Sequence, residues 1–211
     1  MPEHQRYYRK ALTTKGLIYL AGAELEIAVK NFSVTGLLAE LLSNSVIHNV
    51  TDLFKAIENS SSLVDIYLPD MRLAGEVRIA RADMLDEGEG SLLMALEFIH
   101  IAYDIDAVFY KRKVYRKNIE ATGSIFLNGR KHSFKTINVS VEGLMISLPG
   151  KIDFIAGLVA AFEFEYLGLL GEVEVMWIDD DANDGTLMGL RYVRMEKESI
   201  KGIPSFSKIA A

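Results

Sequence analysis

Asn138-Val139-Ser140-Val141-Glu142-Gly143, with Tyr115-Arg116-Lys117 ahead of it, repeats a pattern used 107 positions earlier. There it reads Tyr8-Arg9-Lys10 and Asn31-Phe32-Ser33-Val34-Thr35-Gly36. Residues 8–41 and 115–148 align over 34 columns without a gap, and 13 columns are identical. Unrelated segments would share only about two such columns, so the chain holds a duplicated domain. The fixed columns are not all apolar. Arg9/Arg116, Asn31/Asn138, Ser33/Ser140 and Gly36/Gly143 also persist, and such groups suit an anionic, hydrogen-bonding ligand.

The repeat divides the 211 residues into two units of ordinary domain size, expected at 1–104 and 105–211. Cysteine is absent, which removes disulfides, thiolate zinc sites and a Cys nucleophile. The start, Met1 to Arg6, is polar and basic with no apolar core behind it. The most apolar stretch, residues 154–171, contains the alternating run Phe162-Glu163-Phe164-Glu165-Tyr166, which describes a half-buried strand rather than a bilayer span. A cytoplasmic protein without membrane insertion is expected. The net charge of −6 argues against a nucleic-acid partner. Residues 111–117 nonetheless hold five cations in seven positions, a patch suited to a small anion.

Period-2 patterns and turn residues predict strands over most of the chain. In the second copy these are 123–127, 132–137, 143–148, 157–166, 171–178 and 187–193. Asn128-Gly129 supplies a tight hairpin, and Gly168/Gly171 a second turn. Six short antiparallel strands in each copy predict a mainly β protein of two small six-stranded barrels with short accessory helices. In the first copy, Gly75-Glu76-Val77 answers Gly171-Glu172-Val173, and Leu96-Glu97-Phe98-Ile99 answers Leu190-Arg191-Tyr192-Val193. Leu41 to Gly75 is 34 steps against 23 from Leu148 to Gly171, so the first copy carries 11 extra residues. They fall near 49–60, where Asn49 can cap a short helix with Leu53, Ala56 and Ile57 on its apolar face. Residues 102–111 are too apolar for a free tether and are expected to pack. The tail, 195–211, is expected as a partly disordered segment or a short helix.

Arg112 and Arg116 are four apart ahead of the first strand of the second copy. Each guanidinium offers a planar fork that takes phosphate in two bonds and stacks on a purine face. Asn138 brings donors and an acceptor, Ser140 a small hydroxyl, and Gly143 room for a close approach.

Arg112-Lys113-Val114-Tyr115-Arg116 followed by Asn138-x-Ser140-x-x-Gly143 resembles the signature of the PilZ domain, the bacterial receptor module for cyclic di-GMP. Residues 171–177 and 189–192 look like that family's closing strands, so the resemblance covers most of residues 110–194. It implies a barrel with the ligand on its surface, where Arg112 and Arg116 hold phosphates and guanine edges. Asn138 and Ser140 then hydrogen-bond guanine, and Gly143 permits the approach. Lys111 stands where a further cation is thought to favour a stacked ligand dimer, which leaves the stoichiometry open. The first copy keeps Asn31, Ser33, Gly36 and Arg9, a weak second site, but Gln5 stands opposite Arg112. A degenerate first copy follows.

Folding alone would keep Ser33 and Gly36 if the motif also forms a turn. Residues 179–185 have the acidic spacing of a calcium loop, yet Asp184 replaces its sixth-position Gly and Leu190 its closing Glu, which leaves a hydrated hairpin loop. Trp177 sits on an alternating strand and reads as core rather than as a ligand platform, and the four histidines lack ligand spacing. No catalytic constellation, cofactor or metal set stands out. The expected function is therefore a cyclic di-GMP receptor, not an enzyme, that relays the messenger to an unidentified protein partner in motility or biofilm control. Ordering of the arginine segment and reorientation of the domains would carry the signal. The alternative is an adaptor whose PilZ folds bind protein and no nucleotide.

Overall fold

The structure is a computed structural model that describes residues 10–58, 63–85, 91–103, 114–152, 155–180, 185–196, 200 and 202–206. The chain divides between Lys113 and Val114 into two compact units. The expected boundary at 104/105 lies outside the described residues.

The first unit contains β1 (Lys10–Leu20), β2 (Ala23–Ser33), β3 (Gly36–Leu41), α1 (Val50–Glu58), β4 (Leu63–Leu68), β5 (Leu73–Met84) and β6 (Leu92–Tyr103). Its strands close a barrel in the order β1-β2-β3-β6-β5-β4. The second unit contains β7 (Lys117–Asn118), β8 (Thr122–Leu127), β9 (Arg130–Val139), β10 (Gly143–Leu148), β11 (Val159–Phe164), β12 (Leu169–Asp180) and β13 (Thr186–Met195). It runs β10-β13-β12-β11-β8-β9, closes through β9–β10, and adds β7 to the outside of β9. Both are antiparallel six-stranded barrels of one topology, so the expected mainly β class is borne out.

Each barrel closes because alternate residues of every strand are apolar and face one interior. Ile18, Ile27, Ile66 and Met94 fill the first core; Phe134, Phe162, Phe164 and Val175 fill the second. The β8–β9 hairpin turns through Asn128 (φ 49°) and Gly129 (φ 74°), the left-handed pair a tight hairpin requires. Ala21 (φ 50°) and Gly22 (φ 81°) make the same turn in the first barrel, with an alanine accepting the strained position.

The predicted insertion is α1. Asn49 Oδ1 accepts the Asp52 amide at 2.9 Å, and the Leu53 amide donates to the Asn49 carbonyl at 3.1 Å. Leu53 and Ile57 are buried on the first core.

Three expectations are corrected. Gly168 alone closes the β11–β12 turn, at φ 60° after a 3-10 turn over Glu165–Leu167. Gly171 lies inside β12, where a Cβ would stand 2.1 Å from the Arg194 carbonyl oxygen. Ala102 and Tyr103 are not linker but the end of β6, paired with Ala74 and Leu73; residues 104–113 lie outside the described set. Where the tail is described, at 202–206, it is not helical and it packs: Ile203 is only 3% exposed and belongs to the second core; residues 197–199, 201 and 207–211 lie outside the described set. Among the described residues, no helix is long and apolar enough to cross a membrane.

Candidate functional site

The site is organised by an irregularity in β9. Met145 of β10 faces Asn138 and Ile146 faces Thr136, which leaves Ile137 as an extra residue. A bulge of this kind resets the alternation of side chains. Thr136 and Val139 both point inward and are buried, while Asn138 is half-buried on the other face of the strand. β7 then pairs Lys117 with Val139 and Asn118 with Asn138. Arg116 is one step further along, and its Nη1 donates to Asn138 Oδ1 at 3.3 Å. Asn138 Nδ2 in turn points at the Met145 sulfur, 3.6 Å away.

Thr136 fastens the chain that leads away from Arg116. Its hydroxyl donates to the Ile119 carbonyl at 2.6 Å and accepts the Ala121 amide at 3.0 Å. The Thr136 amide adds a bond of 2.8 Å to the Ala121 carbonyl. A buried threonine is thereby satisfied, and the segment from 117 to 121 is held against β9.

Ser140 and Gly143 perform a different task. The Ser140 hydroxyl donates to the Gly143 carbonyl at 3.0 Å and accepts the Gly143 amide at 3.2 Å, with the residue 1% exposed. A Cβ on Gly143 would lie 2.0 Å from the Leu190 carbonyl oxygen of β13. The first barrel repeats this: Ser33 Oγ donates to the Gly36 carbonyl at 2.9 Å, and a Cβ on Gly36 would meet Leu96 O at 2.1 Å. The turn and the strand crossing account for serine and glycine in both copies.

Sequence reasoning missed Trp177 as a surface group. Val173 and Val175 point inward, and unbroken alternation would send Trp177 after them. A bulge intervenes: Val175 pairs with Leu190 and Trp177 with Gly189, so Met176 is extra. Trp177 is turned outward, 38% exposed, with its indole across Gly189, where a Cβ would sit 2.0 Å from Nε1. A row of partners thus crosses four strands: Asn138 opposite Met145, Met145 opposite Gly189, Gly189 opposite Trp177. It places a hydrogen-bonding amide, a thioether and an indole face side by side, next to the Arg116 guanidinium.

The same row in the first barrel is Asn31, Leu38, Ala95 and Arg81. Ala95 fills the notch, and Arg81 replaces the indole and pairs with Asp83 at 2.9 Å. Lys111, Arg112 and Arg9 lie outside the described residues. Tyr192 is a packed phenol, 5.9 Å from the Phe162 ring, and burial pushes its hydroxyl well above the ordinary range. Among the described residues no cluster of His, Asp or Glu could hold a metal.

Residues 110–206 match the family model of the PilZ domain. No curated protein matches the sequence. Among the solved structures that match the chain, three at low similarity are as follows. Borreliella burgdorferi PlzA in complex with c-di-GMP is 14% identical, covers 90% of this chain and 83% of its own, and has a TM-score of 0.32. The Bacillus subtilis inhibitor of motility MotI/DgrA is 14% identical over 86% of this chain and 88% of its own, with a TM-score of 0.36. Escherichia coli YcgR in complex with c-di-GMP is 12% identical over 85% and 75%, with a TM-score of 0.31.

Proposed function

Residues 110–206 being a PilZ domain, we propose that this chain is a cyclic di-GMP receptor whose second barrel holds the ligand on its outer surface. The observation that carries this reading is the Arg116–Asn138 pair beside the Met145–Trp177 row. A cyclic dinucleotide presents two phosphates and two flat guanine bases. The Arg116 guanidinium suits a phosphate or a guanine edge, the Asn138 amide suits the hydrogen-bonding edge of guanine, and an exposed indole suits its face. Arg112 supplies the second guanidinium and Lys111 a further cation. Ser140 and Gly143 act by holding the turn that aims Asn138.

In this reading residues 105–211 form the receptor domain and residues 1–104 a barrel that binds no nucleotide. The adaptor reading applies to that first barrel, where Ala95 and Arg81 remove the notch and the indole. Ligand binding orders the arginine segment, and the altered surface is read by a protein partner.

Titration calorimetry on the full chain tests the proposal. The wild type should give heat with cyclic di-GMP at roughly micromolar concentrations. Arg116→Ala should bind at least about tenfold more weakly, since a charge-assisted hydrogen bond contributes about 1.5–3 kcal/mol. Absence of heat from the wild type at roughly tens of micromolar ligand would sink the receptor reading.

A further inference from the structure

Past its last strand the chain returns to the residue that precedes Arg116. Val114 and Tyr115 are both buried, and the Tyr115 ring meets the Phe206 ring edge-on, with centroids 5.2 Å apart at 62°. Phe206 is itself 6% exposed, and Ile203 before it is rooted in the second core. Phe206 adopts φ 45°, a left-handed conformation that a bulky side chain rarely takes. Such a conformation persists where surrounding packing over-determines it. The tail therefore holds a strained residue against the Tyr115 ring, and Tyr115 is the residue that precedes Arg116.

We propose that residues 203–206 form a strut that positions Arg116 through the Tyr115–Phe206 contact, so that tail docking and ligand binding are linked. Arg116 is held from two sides. β7 fixes it from the C-terminal direction by pairing with β9. From the N-terminal direction the backbone is fixed by Tyr115, which has Phe206 as its ring partner. Removing the Phe206 ring loosens that side and widens the directions the guanidinium samples. A site that must be ordered before it binds loses affinity in proportion. By reciprocity, a ligand that fastens Arg116 also fastens the tail. Phe206 is a positioning residue here, since the ligand need not touch it.

The proposal rests on the receptor reading only in its ligand arm, and the experiment separates the two. In the ligand-free full chain, nitrogen–proton spectra report Arg116 Nε and the Asn138 side-chain amide. Phe206→Ala should shift or broaden both signals, and Phe206→Tyr, which keeps the ring, should restore them. Phe206→Leu serves if the alanine variant melts more than about 3 °C below the wild type. With cyclic di-GMP, Phe206→Ala should bind about three- to tenfold more weakly, the equivalent of losing one aromatic pair. The ligand should also slow amide exchange at residues 205 and 206 of the wild type. Arg116 and Asn138 signals unmoved by the loss of the ring would overturn the strut. So would a Phe206→Ala variant that binds cyclic di-GMP as tightly as a wild type that binds. If the wild type binds no cyclic di-GMP, the receptor reading fails and the ligand-free spectra still decide the strut.

Discussion

The two barrels share a frame and differ on one face. Gly36 and Gly143 both lie against a neighbouring strand's carbonyl, and Ser33 and Ser140 both close the turn ahead of them. Bulges at Lys30 and Ile137, and again at Ala80 and Met176, occupy equivalent places. Even the polar side-chain pairs across the strands correspond. Glu76 with His100 matches Glu172 with Arg194, and Arg78 with Glu97 matches Glu174 with Arg191 at reversed polarity. What differs is the row beside the asparagine: Leu38, Ala95 and Arg81 on one barrel, Met145, Gly189 and Trp177 on the other. A duplicated fold retains what folding demands in both copies. Residues present in only one copy are the better guide to a site.

The strongest way to break this comparison is through the shared glycines. Gly36→Ala and Gly143→Ala each force a Cβ to about 2 Å from backbone oxygen, which no side-chain rotation relieves. Each should destabilise its own barrel by about 3 kcal/mol, measured by denaturant unfolding. A well-tolerated Gly36→Ala would mean that this glycine is not structural.

Next in size is the unshared face. Trp177→Ala should weaken cyclic di-GMP binding by about 1–3 kcal/mol in a titration, as loss of a stacking platform does. The same barrel should keep its melting point to within about 3 °C, because the indole is partly exposed. Leu38→Met, Ala95→Gly and Arg81→Trp together rebuild the row on the first barrel, and no second binding event is expected from them. Appearance of one would show that the row, rather than the arginine segment, limits binding.

The ion pairs probe smaller energies. Exchanging charges in Arg78→Glu with Glu97→Arg copies the arrangement of the second barrel and should change stability by less than about 0.5 kcal/mol. Either single reversal should cost up to about 1 kcal/mol.

The smallest effect concerns Glu40, which has no counterpart because Ile137 and Ser147 stand where Lys30 and Glu40 do. The Lys30 ammonium, 2.6 Å away, hydrogen-bonds the Glu40 carboxylate and holds its pKa below the ordinary carboxylate value. A lowered folded value means that the pair stabilises above the ordinary carboxylate pKa and loses this as pH falls through the lowered one. Lys30→Met should raise the Glu40 midpoint in a carboxylate titration followed by nuclear magnetic resonance. An unmoved midpoint would remove the pair from the account.

Much of the frame was legible in the chain. A gapless 34-column repeat placed β1–β3 on β8–β10, and the count of 11 extra residues located α1 with Asn49 as its cap. These are local signals, carried by spacing and by turn and capping residues. Trp177 was misread for an equally physical reason: alternation predicts a face only until a bulge, and Met176 gives no sign in sequence that it will be skipped. The packed tail was illegible because Ile203 and Phe206 show no period of their own and gain their burial from partners far back in the chain.

The sequence by itself determined two barrels of one pattern, with an arginine–asparagine signature in the second. Repetition and period-2 patterning survive in one dimension, because each is set by neighbours along the chain. Only the tertiary structure decided that Asn138, Met145, Gly189 and Trp177 form one row, and that Tyr115 rests on Phe206. Those adjacencies follow from strand register and bulges, which arise only when separate segments pair and pack.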